Sequence, residues 1–422
     1  MKKLIMGLLL PIVAMVGFSS CNKTNEAIAP ESIETRAKEV VTLSGILSGT
    51  DQLNWTKDKI YRLDGKVYVQ KGDILKIQEG TEVRGVFKED PYSASALIVV
   101  SGAQIEAIGT PTEPIVMTAE NGKKGGWGGI VILGNAPINQ KERQVIEGID
   151  PTITVIPGNI DVTYGGSNAA DNSGTLKYVR VEYAGAEVKP TKELNAFTFG
   201  GVGNKTTLSH LQAYHGADDG FEFFGGTVNA DHLVATAVDD DSFDFDFGYT
   251  GTVEFSVATI NKSMSYSSDP NGIECDNDGD SSSNTPFTRP VLKNLTIVGT
   301  KDGIVAGGGD KNNPLHLKAG AHFRRNTQFE LYNSVICGFP KGIYYDKANS
   351  NYVMKNNYIT SEPAGNEFVN FTPDASNLIK MPLRSPYSGR VSGLISSAGG
   401  VGAFANGSTW FTSGSWVKGY VK

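Results

Sequence analysis

Carboxylates that recur at fixed spacings are the residues of this chain best suited to chemistry. The segment 218–223 (DDGFEF) recurs 22 residues later as 240–245 (DDSFDF), and 271–276 (NGIECD) repeats 241–246 (DSFDFD) after a further 30 residues. Repeats of about 20 to 30 residues built from strands and turns are typical of a solenoid, in which each coil buries its apolar side against its neighbours. The segments therefore predict successive coils that carry acidic side chains in register.

Alternation within each repeat predicts which side chains face outward, because successive side chains of a strand point to opposite faces. The predicted inward residues are Phe221, Phe223, Phe243, Phe245, Ile273 and Cys275, and the predicted outward residues are Glu222, Asp244 and Glu274. Two unit charges about 5 Å apart on neighbouring strands repel by roughly 3 kcal/mol at an effective dielectric constant of ~20. A cation, a shared proton or a basic ligand would relieve this repulsion, whereas on a solvated face the side chains would splay into water.

Glu222, Asp244 and Glu274 would form a ladder of stacked carboxylates, one on each successive coil. Calcium is the first cation to consider for this ladder, because it accepts about six to eight oxygen ligands in irregular geometry. The predicted ligands are Glu222, Asp244, Asp246, Glu274, Asp276 and Asp278. Segment 276–280 (DNDGD) is rich in oxygens but is not an EF-hand, because Ser281 stands where the turn glycine belongs and Phe287 where the closing glutamate belongs. A transition-metal site is less favoured, since His210 and His232 repeat as stacked turn residues would.

The first residues predict export and lipid anchoring. Residues 1–3 are basic, residues 4–16 are apolar but too short to span a bilayer, and small residues precede Cys21. This pattern resembles a bacterial lipoprotein signal, which implies a signal peptide over 1–20, lipidation of Cys21 and a flexible tether over 21–40. The alternatives are an ordinary secretory signal and an apolar start without a targeting role. The formal net charge of −7 and the lack of a basic patch argue against nucleic acid as a partner.

Composition and turn spacing predict an all-β fold. The 50 glycines, with frequent Asn, Asp and Thr, indicate many tight turns, and segments such as 66–85 split into short strands. These segments resemble right-handed parallel β-helix (solenoid) proteins of the pectin-lyase type. With 127–130 (WGGI), 218–226 and Asn333-Ser334, the chain also resembles a family of Bacteroidetes surface lipoproteins of unassigned function. The resemblance implies one β-helix domain over 41–422.

Two segments lack the coil pattern. Residues 135–175 are rich in Gly, Asn, Asp and Pro, and long loops of a solenoid cluster on the face that meets ligands, although a surface excursion without a role is the alternative. The tail from Gly402 through Trp416 predicts a C-terminal cap over the open end of the helix. Cys275 and Cys337 lie in apolar strands many coils apart, which predicts buried free thiols rather than a disulfide.

The favoured function is binding without catalysis. A lipid-anchored outer-membrane protein, exposed at the cell surface or on the periplasmic face, would bind calcium and a glycan on the acidic and aromatic face. Tyr214, Phe224 and Tyr249 lie beside the acids in the sequence, where aromatic rings can stack on sugars. A TonB-dependent receptor is the expected protein partner if the ligand is a nutrient.

Two other functions stay open. A glycoside hydrolase would use clustered aspartates as general acid and base, and the candidates are Asp218, Asp219, Asp240 and Asp241. A polysaccharide lyase would pair calcium with a basic residue, Arg324 or Arg325, although these arginines can instead balance the acids. A structural or adhesive surface protein is the third function. Motifs for acyl transfer, nucleotide binding and zinc proteolysis are absent from the sequence.

Overall fold

Short strands separated by sharp corners wind into a right-handed parallel β-helix, as the sequence predicted. The computed structural model describes residues 37–152, 156–190, 192–262, 265–266, 270–307, 310–347, 351–378 and 401–420. The predicted signal peptide, Cys21 and most of the predicted tether lie outside these residues. Among the described residues, no helix has the length and apolar character needed to cross a membrane.

The strands are short and few residues separate them. In chain order they are β1 (Glu39–Ile46), β2 (Asn54–Trp55), β3 (Lys59–Val69), β4 (Ile74–Ile77), β5 (Glu82–Gly85), β6 (Ala96–Val99), β7 (Gln104–Ile108), β8 (Ile115–Ala119), β9 (Ile130–Leu133), β10 (Gln144–Val145), β11 (Thr163–Tyr164), β12 (Gly174–Glu182), β13 (Glu187–Lys189), β14 (Lys192–Glu193), β15 (Phe197–Gly200), β16 (Thr207–Tyr214), β17 (Phe221–Phe224), β18 (Ala230–Thr236), β19 (Phe243–Asp246), β20 (Thr252–Glu254), β21 (Val257–Thr259), β22 (Ser265–Tyr266), β23 (Ile273–Cys275), β24 (Val291–Lys293), β25 (Thr296–Val298), β26 (Ile304–Gly307), β27 (Asp310–His316), β28 (Ala319–Phe323), β29 (Phe329–Tyr332), β30 (Val335–Cys337), β31 (Lys341–Tyr345), β32 (Tyr352–Lys355), β33 (Tyr358–Ile359) and β34 (Phe368–Val369). Helical structure in the described residues consists of α1 (Gly49–Leu53) and the 3-10 turns Pro91–Ser93, Glu147–Ile149, Ala405–Gly407 and Trp410–Thr412.

Parallel pairing arranges these strands into three faces. Sheet 1, which carries the acidic repeats, contains residues 45–46 of β1, residues 66–69 of β3, and β6, β9, β15, β17, β19, β23, β28, β31 and β34. Several strands of the other two faces, such as β12, β16 and β18, run around a corner and contribute to both. The segment between β9 and β12 holds a separate antiparallel pair, β10 with β11.

Stacked aromatic rings fill the interior behind sheet 1. The ring centroids of Phe197 and Phe221 are 4.9 Å apart, and those of Phe221 and Phe243 are 5.6 Å apart. Ile273 continues this column in register with Phe243, and every member is at most 1% exposed. The predicted inward column is therefore confirmed, and buried aromatic pairs of this kind stabilise a core beyond the area they bury.

Left-handed backbone marks one corner of the helix. His210 and His232 both have φ of 55°, and their rings stack with centroids 4.3 Å apart. Tyr178 and Phe255 extend the stack on either side at 4.4 and 5.6 Å. The prediction that the two histidines stack as turn residues is confirmed.

The C-terminal tail lies along the side of the helix, not over its end. Gly402 N–H donates to Asn333 O at 2.7 Å, whereas Ser415 N–H donates to Pro111 O at 2.7 Å. Between these points the Trp410 ring packs 4.7 Å from His232. Because Asn333 and Pro111 belong to distant coils, the predicted end cap is wrong for residues 401–420, which form a lateral strap across several coils.

The two cysteines of the described residues do not form a disulfide. Cys275 and Cys337 are both 0% exposed. The prediction of buried thiols rather than a disulfide is confirmed.

Candidate functional site

The predicted ladder of carboxylates exists on the outer side of sheet 1. Glu222 of β17 lies opposite Asp244 of β19, which lies opposite Glu274 of β23. The column begins at Thr198 and continues from Glu274 to His322. The ladder does not splay into water, because Glu274 is only 7% exposed and Glu222 and Asp244 are partly buried.

A second acidic column stands at the corner before these strands and holds the turns together. Asp219 Oδ1 accepts a hydrogen bond from the Asp241 N–H at 2.8 Å, and Asp241 Oδ1 accepts from the Asn271 N–H at 2.7 Å. Asn271 Oδ1 accepts in turn from the Ala319 N–H at 3.1 Å. Asp219 and Asp241, predicted as catalytic candidates, thus each use one oxygen to position the next coil.

The ladder's C-terminal part, which we name the compensated half, carries its own cations. Arg324 pairs with Glu274 and donates from Nε to Asp276 Oδ1 at 2.8 Å, and Arg325 donates to Asp276 Oδ2 at 2.7 Å. His322 Nδ1 lies 3.5 Å from Glu274 Oε2. Burial lowers the pKa of Arg324, but the hydrogen bond that Arg324 donates to Asp276 and the charge of Glu274 together raise it above its usual value.

The ladder's N-terminal part, the uncompensated half, has the same spacing without such partners. Oxygens of Asp219, Glu222 and Asp244 lie within 4.8 Å of one another. The ion pairs of the described chain all involve other acids, so no lysine, arginine or histidine nitrogen lies within 4.0 Å of these three carboxylates. Glu222 accepts a hydrogen bond from Asn195 Nδ2, whereas Asp244 Oδ1 is buried with no hydrogen-bond partner.

Burial and crowding both favour the protonated forms of these acids. Burial raises the pKa of Asp219, Glu222 and Asp244 well above the usual range, and the charges of neighbouring carboxylates raise it further. Asp218 is affected in the same way, by burial first and then by Asp240. Oxygens of Asp218, Asp219 and Asp240 form a second group within 4.8 Å. If all of these acids were ionised, the uncompensated half would carry more negative charge than the nearby basic side chains neutralise.

Three of the predicted metal ligands are engaged elsewhere. Asp276 is held by two arginines. Asp278 Oδ1 accepts from the backbone N–H groups of Asp280 and Ser282 at 3.1 and 2.9 Å, so this side chain shapes its own loop. Asp246 Oδ1 accepts from the Phe247 N–H at 2.6 Å, and burial followed by the charge of Asp276 raises the pKa of Asp246 to about 7.

The structure adds a residue that the acidic pattern could not show. Asn195 is 3% exposed, its Nδ2 donates to Glu222, and its Oδ1 has no hydrogen-bond partner among the described residues. It stands two residues before β15, at the offset that Asp219 has before β17 and Asp241 has before β19. The shared offset before a strand could have identified Asn195 from the sequence. A pattern of repeated carboxylates does not include it, because its side chain is neutral.

The three predicted aromatic ligand contacts lie in different places. Tyr249 is 0% exposed, and its hydroxyl donates to Val228 O at 2.8 Å, so the prediction that its ring meets a ligand is wrong. Tyr214 packs on another face, with its ring 4.8 Å from Lys418 of the strap. Phe224 alone lies in sheet 1 next to the acids and is partly exposed, in register with Asp246.

The segment 135–175 packs against sheet 1 beside the ladder. Asn139 Nδ2 donates to Asn277 O at 2.7 Å, and Pro137 O accepts from the Gly226 N–H at 2.8 Å. The Tyr164 ring lies 6.1 Å from the Phe224 ring of sheet 1, and burial, followed by the charges of Asp246 and Glu222, raises the pKa of Tyr164. This long segment therefore forms one wall of the acidic site.

Comparison with known proteins agrees with this architecture. The family model described as a pectate-lyase-like β-helix domain matches residues 47–413. The crystal structure of pectate lyase Pel9A is similar over 81% of this chain and 87% of that chain, with 14% identity and a TM-score of 0.31. A search of curated proteins found no match. Because the family model covers most of its length, the chain belongs to the family of pectate-lyase-like β-helix domains.

Proposed function

We propose that this protein binds a divalent cation, calcium in the first place, in the uncompensated half of the ladder and uses it to hold a glycan outside the cell. The single observation that carries the proposal is the cluster of Asp219, Glu222 and Asp244, whose oxygens lie within 4.8 Å of one another with no basic side chain within 4.0 Å in the described chain. A cation is the direct physical remedy for such crowding.

The available donors fit calcium. Three carboxylates, the unpartnered Asp244 Oδ1 among their atoms, and the buried Asn195 Oδ1 offer only oxygen. Calcium accepts about six to eight oxygens and tolerates irregular geometry, whereas transition metals prefer nitrogen or sulfur ligands. This ligand set replaces the predicted one: Glu222 and Asp244 stay, Asp219 and Asn195 join, and Asp246, Glu274, Asp276 and Asp278 are occupied by other contacts.

A glycan suits the surroundings of this cation. Oxygens of water or of a bound sugar would complete the coordination shell, and the partly exposed Phe224 ring provides an apolar surface in the same sheet. The pectate-lyase-like family supports a polysaccharide-related role, although the fold by itself does not define the ligand.

Binding without catalysis is favoured over turnover because the proposed lyase bases are engaged. Arg324 is held by Glu274 and Asp276, and its pKa is raised, so it does not release a proton readily. Arg325 shares Asp276. Of the hydrolase candidates, Asp219 and Asp241 each use one oxygen to accept a backbone N–H of the next turn. Asp218 and Asp240 are the pair that a hydrolytic mechanism would use.

The test compares calcium, magnesium and a chelator by isothermal titration and thermal unfolding, in the wild type and in Asp244→Asn. We expect calcium to bind the wild type and the variant to lose that binding, while the control Asp278→Asn, at an acid of the loop after β23, retains it. Equal calcium binding by both variants, or none by the wild type, contradicts the proposal.

Glycan binding is tested with a panel of neutral and anionic polysaccharides, with and without calcium. We expect calcium-dependent retention on at least one polysaccharide and a loss of retention in Phe224→Ala. Unsaturated or new reducing ends in the panel would establish a lyase or a hydrolase instead. If the protein neither retains nor cleaves any polysaccharide of the panel, a structural or adhesive role remains.

The proposed place of action is the outer membrane, with the lipid on Cys21 as the anchor and a TonB-dependent receptor as a partner in nutrient capture. Cys21→Ser is expected to move the protein from the membrane fraction to the soluble fraction with an unchanged melting temperature, because the anchor lies outside the β-helix. Unchanged membrane partitioning of the variant contradicts the anchor. Protease treatment of intact cells then separates the outer surface from the periplasmic face.

A further inference from the structure

A polar cleft lies at the end of sheet 1 that is distant from the acidic ladder. Lys66 and Tyr68 of β3 are two residues apart and both point outward, whereas Val67 and Val69 between and after them are 0% exposed in the interior. Both outward side chains line a cleft of about 460 Å³. The other lining residues are Gly45, Asp64, Gly65, Lys88, Asp90, Tyr92, Ser93 and Pro157.

Lys66 and Tyr68 hold hydrogen-bond donors that the protein does not fully use. Lys66 is 9% exposed, and its Nζ has one acceptor in the described chain, Tyr92 O at 2.8 Å. An ammonium group carries three N–H donors. Tyr68 is 1% exposed, and its hydroxyl has no hydrogen-bond partner among the described residues. Buried donors without acceptors are costly, so an acceptor that enters the cleft would be bound favourably.

The acids of the cleft already have partners. Asp64 pairs with Lys88. Asp90 accepts from Ser93 Oγ at 2.6 Å and from the Tyr92 N–H at 3.3 Å. The cleft therefore presents donors, and the acceptors that could satisfy them internally are occupied. Burial lowers the pKa of Lys66 to about 8, despite the charge of Asp90, and raises the pKa of Tyr68 to about 12.

We propose that this cleft is a binding site for a small carboxylate, with Lys66 Nζ and the Tyr68 hydroxyl donating to its oxygens. An ionised carboxylate is only an acceptor and takes about four hydrogen bonds, so it can accept from the two unused N–H groups of Lys66 and from the Tyr68 hydroxyl. Its single charge matches the single ammonium group that lacks a carboxylate partner, whereas a phosphate dianion would bring excess charge.

The cleft that contains Lys66 and Tyr68 is separate from the proposed calcium site. Tyr68 lies opposite Ile98, Ile98 opposite Val131, and Val131 opposite Thr198, one strand before Glu222. Four strand spacings correspond to about 19 Å. Ile98 and Val131 are fully buried, and apolar residues of the 135–175 segment belong to the same cluster, so a buried apolar stretch separates the two sites.

Isothermal titration with acetate, glucuronate and glucose in calcium-free buffer tests the proposal at pH 7. Binding of acetate and glucuronate but not of glucose supports a site for the carboxylate group itself, and binding of glucuronate alone supports a carboxylate borne on a sugar ring. Equal binding of glucose and glucuronate, or no binding of either acid, overturns the proposal. Loss of calcium binding in other variants has no bearing on this outcome.

Variants assign the donors. Lys66→Met, which keeps the length of the side chain, is expected to abolish carboxylate binding, and Tyr68→Phe to weaken it by about tenfold, the usual worth of one hydrogen bond to a charged group. Lys76→Met, at an exposed lysine of β4 paired with Glu106, is the matched control and is expected to bind as the wild type does. Unchanged affinity in both Lys66→Met and Tyr68→Phe overturns the assignment.

The pH dependence gives a readout that a structural role would not move. An anion binds the protonated amine, and the pKa of Lys66 is lowered to about 8. The affinity is therefore expected to be constant below pH 7 and to fall by about tenfold per pH unit above pH 8. In Tyr68→Phe the same profile should persist at weaker affinity. An affinity that does not change up to pH 10 overturns the role of Lys66.

Discussion

The two halves of the acidic ladder have the same backbone and opposite electrostatics. Glu222, Asp244 and Glu274 stack in one register on adjacent parallel strands. Beyond Glu274, the next coils supply Arg324 and Arg325, which bind Glu274 and Asp276. Before Glu274, no basic side chain of the described chain reaches the acids within 4.0 Å, and Asp244 Oδ1 is left without a hydrogen-bond partner.

This difference separates structural neutralisation from a site. A buried acid that serves the fold has a partner within the chain, because an unpaired buried charge is strongly destabilising. An acid that lacks such a partner stays protonated or waits for a ligand. The compensated half is therefore part of the scaffold, and we propose that the uncompensated half is the place at which a cation from solution would add stability.

The largest effect is expected when the compensated half is broken. Arg324→Met leaves Glu274 and Asp276, which are 7% and 4% exposed, without their main partner. Breaking a buried ion pair in this way costs about 3 to 5 kcal/mol. The free energy of unfolding in guanidinium chloride with chelator measures this loss, and calcium should restore part of it because the variant now has two uncompensated halves.

Arg84→Met is the matched control for Arg324→Met. Arg84 pairs with Glu82 on another face, with 38% of its side chain exposed, and exposed pairs contribute about 0 to 1 kcal/mol. Similar losses in the two variants would show that Arg324 does not act through the buried acids, and the comparison between the halves would fail.

The second effect comes from neutralising the uncompensated half. In chelator, the double variant Glu222→Gln, Asp244→Asn is expected to unfold at a higher temperature than the wild type, because repulsion of up to about 3 kcal/mol is removed. At a calcium concentration 100 times the dissociation constant, the wild type should gain about 2.7 kcal/mol and the variant nothing. Melting curves with calcium and with chelator measure the gain from removing the repulsion and the gain from calcium binding. A wild type whose melting temperature does not respond to calcium contradicts the assignment of a cation site to the uncompensated half.

The register of the ladder could be predicted because two physical rules act on it without tertiary help. Segments that repeat at 22 and 30 residues place Glu222, Asp244 and Glu274 at one position of successive coils, and strand alternation turns Phe221 and Phe243 inward. Both rules hold within strands, where each residue has a fixed direction. The solenoid and the inward column followed from them, whereas the right-handed parallel β-helix followed from the family resemblance.

The partners of the ladder could not be predicted in the same way. Arg324 is 48 residues from Asp276, and the sequence shows both residues but not their contact. Alternation also fails at corners: Tyr249 follows the left-handed Gly248 and turns into the interior, where it stacks 4.9 Å from Phe223. The tail has no repeat at all, and its position along the side depends on contacts such as that of Trp410 with His232.

The stability of the protein is expected to depend on pH through Asp246. Burial and the charge of Asp276 raise the pKa of Asp246 to about 7. A carboxyl with a raised folded-state pKa binds its proton more tightly in the folded state, so in chelator the stability that it contributes is present at about pH 4 and is lost as the pH rises to about 7. We expect a loss of about 2 kcal/mol, reduced by solvent because Asp246 is partly exposed. Melting temperatures from pH 4 to pH 8 check this, and Asp246→Asn should make the profile less steep, whereas Asp219, Glu222 and Asp244, whose pKa is also raised, maintain part of the slope. A profile that rises over this range contradicts the direction.

The smallest effect is expected at the rim of the compensated half. Arg325 has 41% of its side chain exposed and shares Asp276 with Arg324, which is only 22% exposed. In Arg325→Ala, Asp276 keeps the hydrogen bond from Arg324 Nε, so the loss should stay below about 1 kcal/mol and should shrink further in high salt, as is usual for exposed pairs. Guanidinium unfolding of this variant beside Arg324→Met measures the contrast. A loss equal to that of Arg324→Met would mean that neutralisation depends on both arginines together, and the compensated half would then be a network in which neither cation is sufficient.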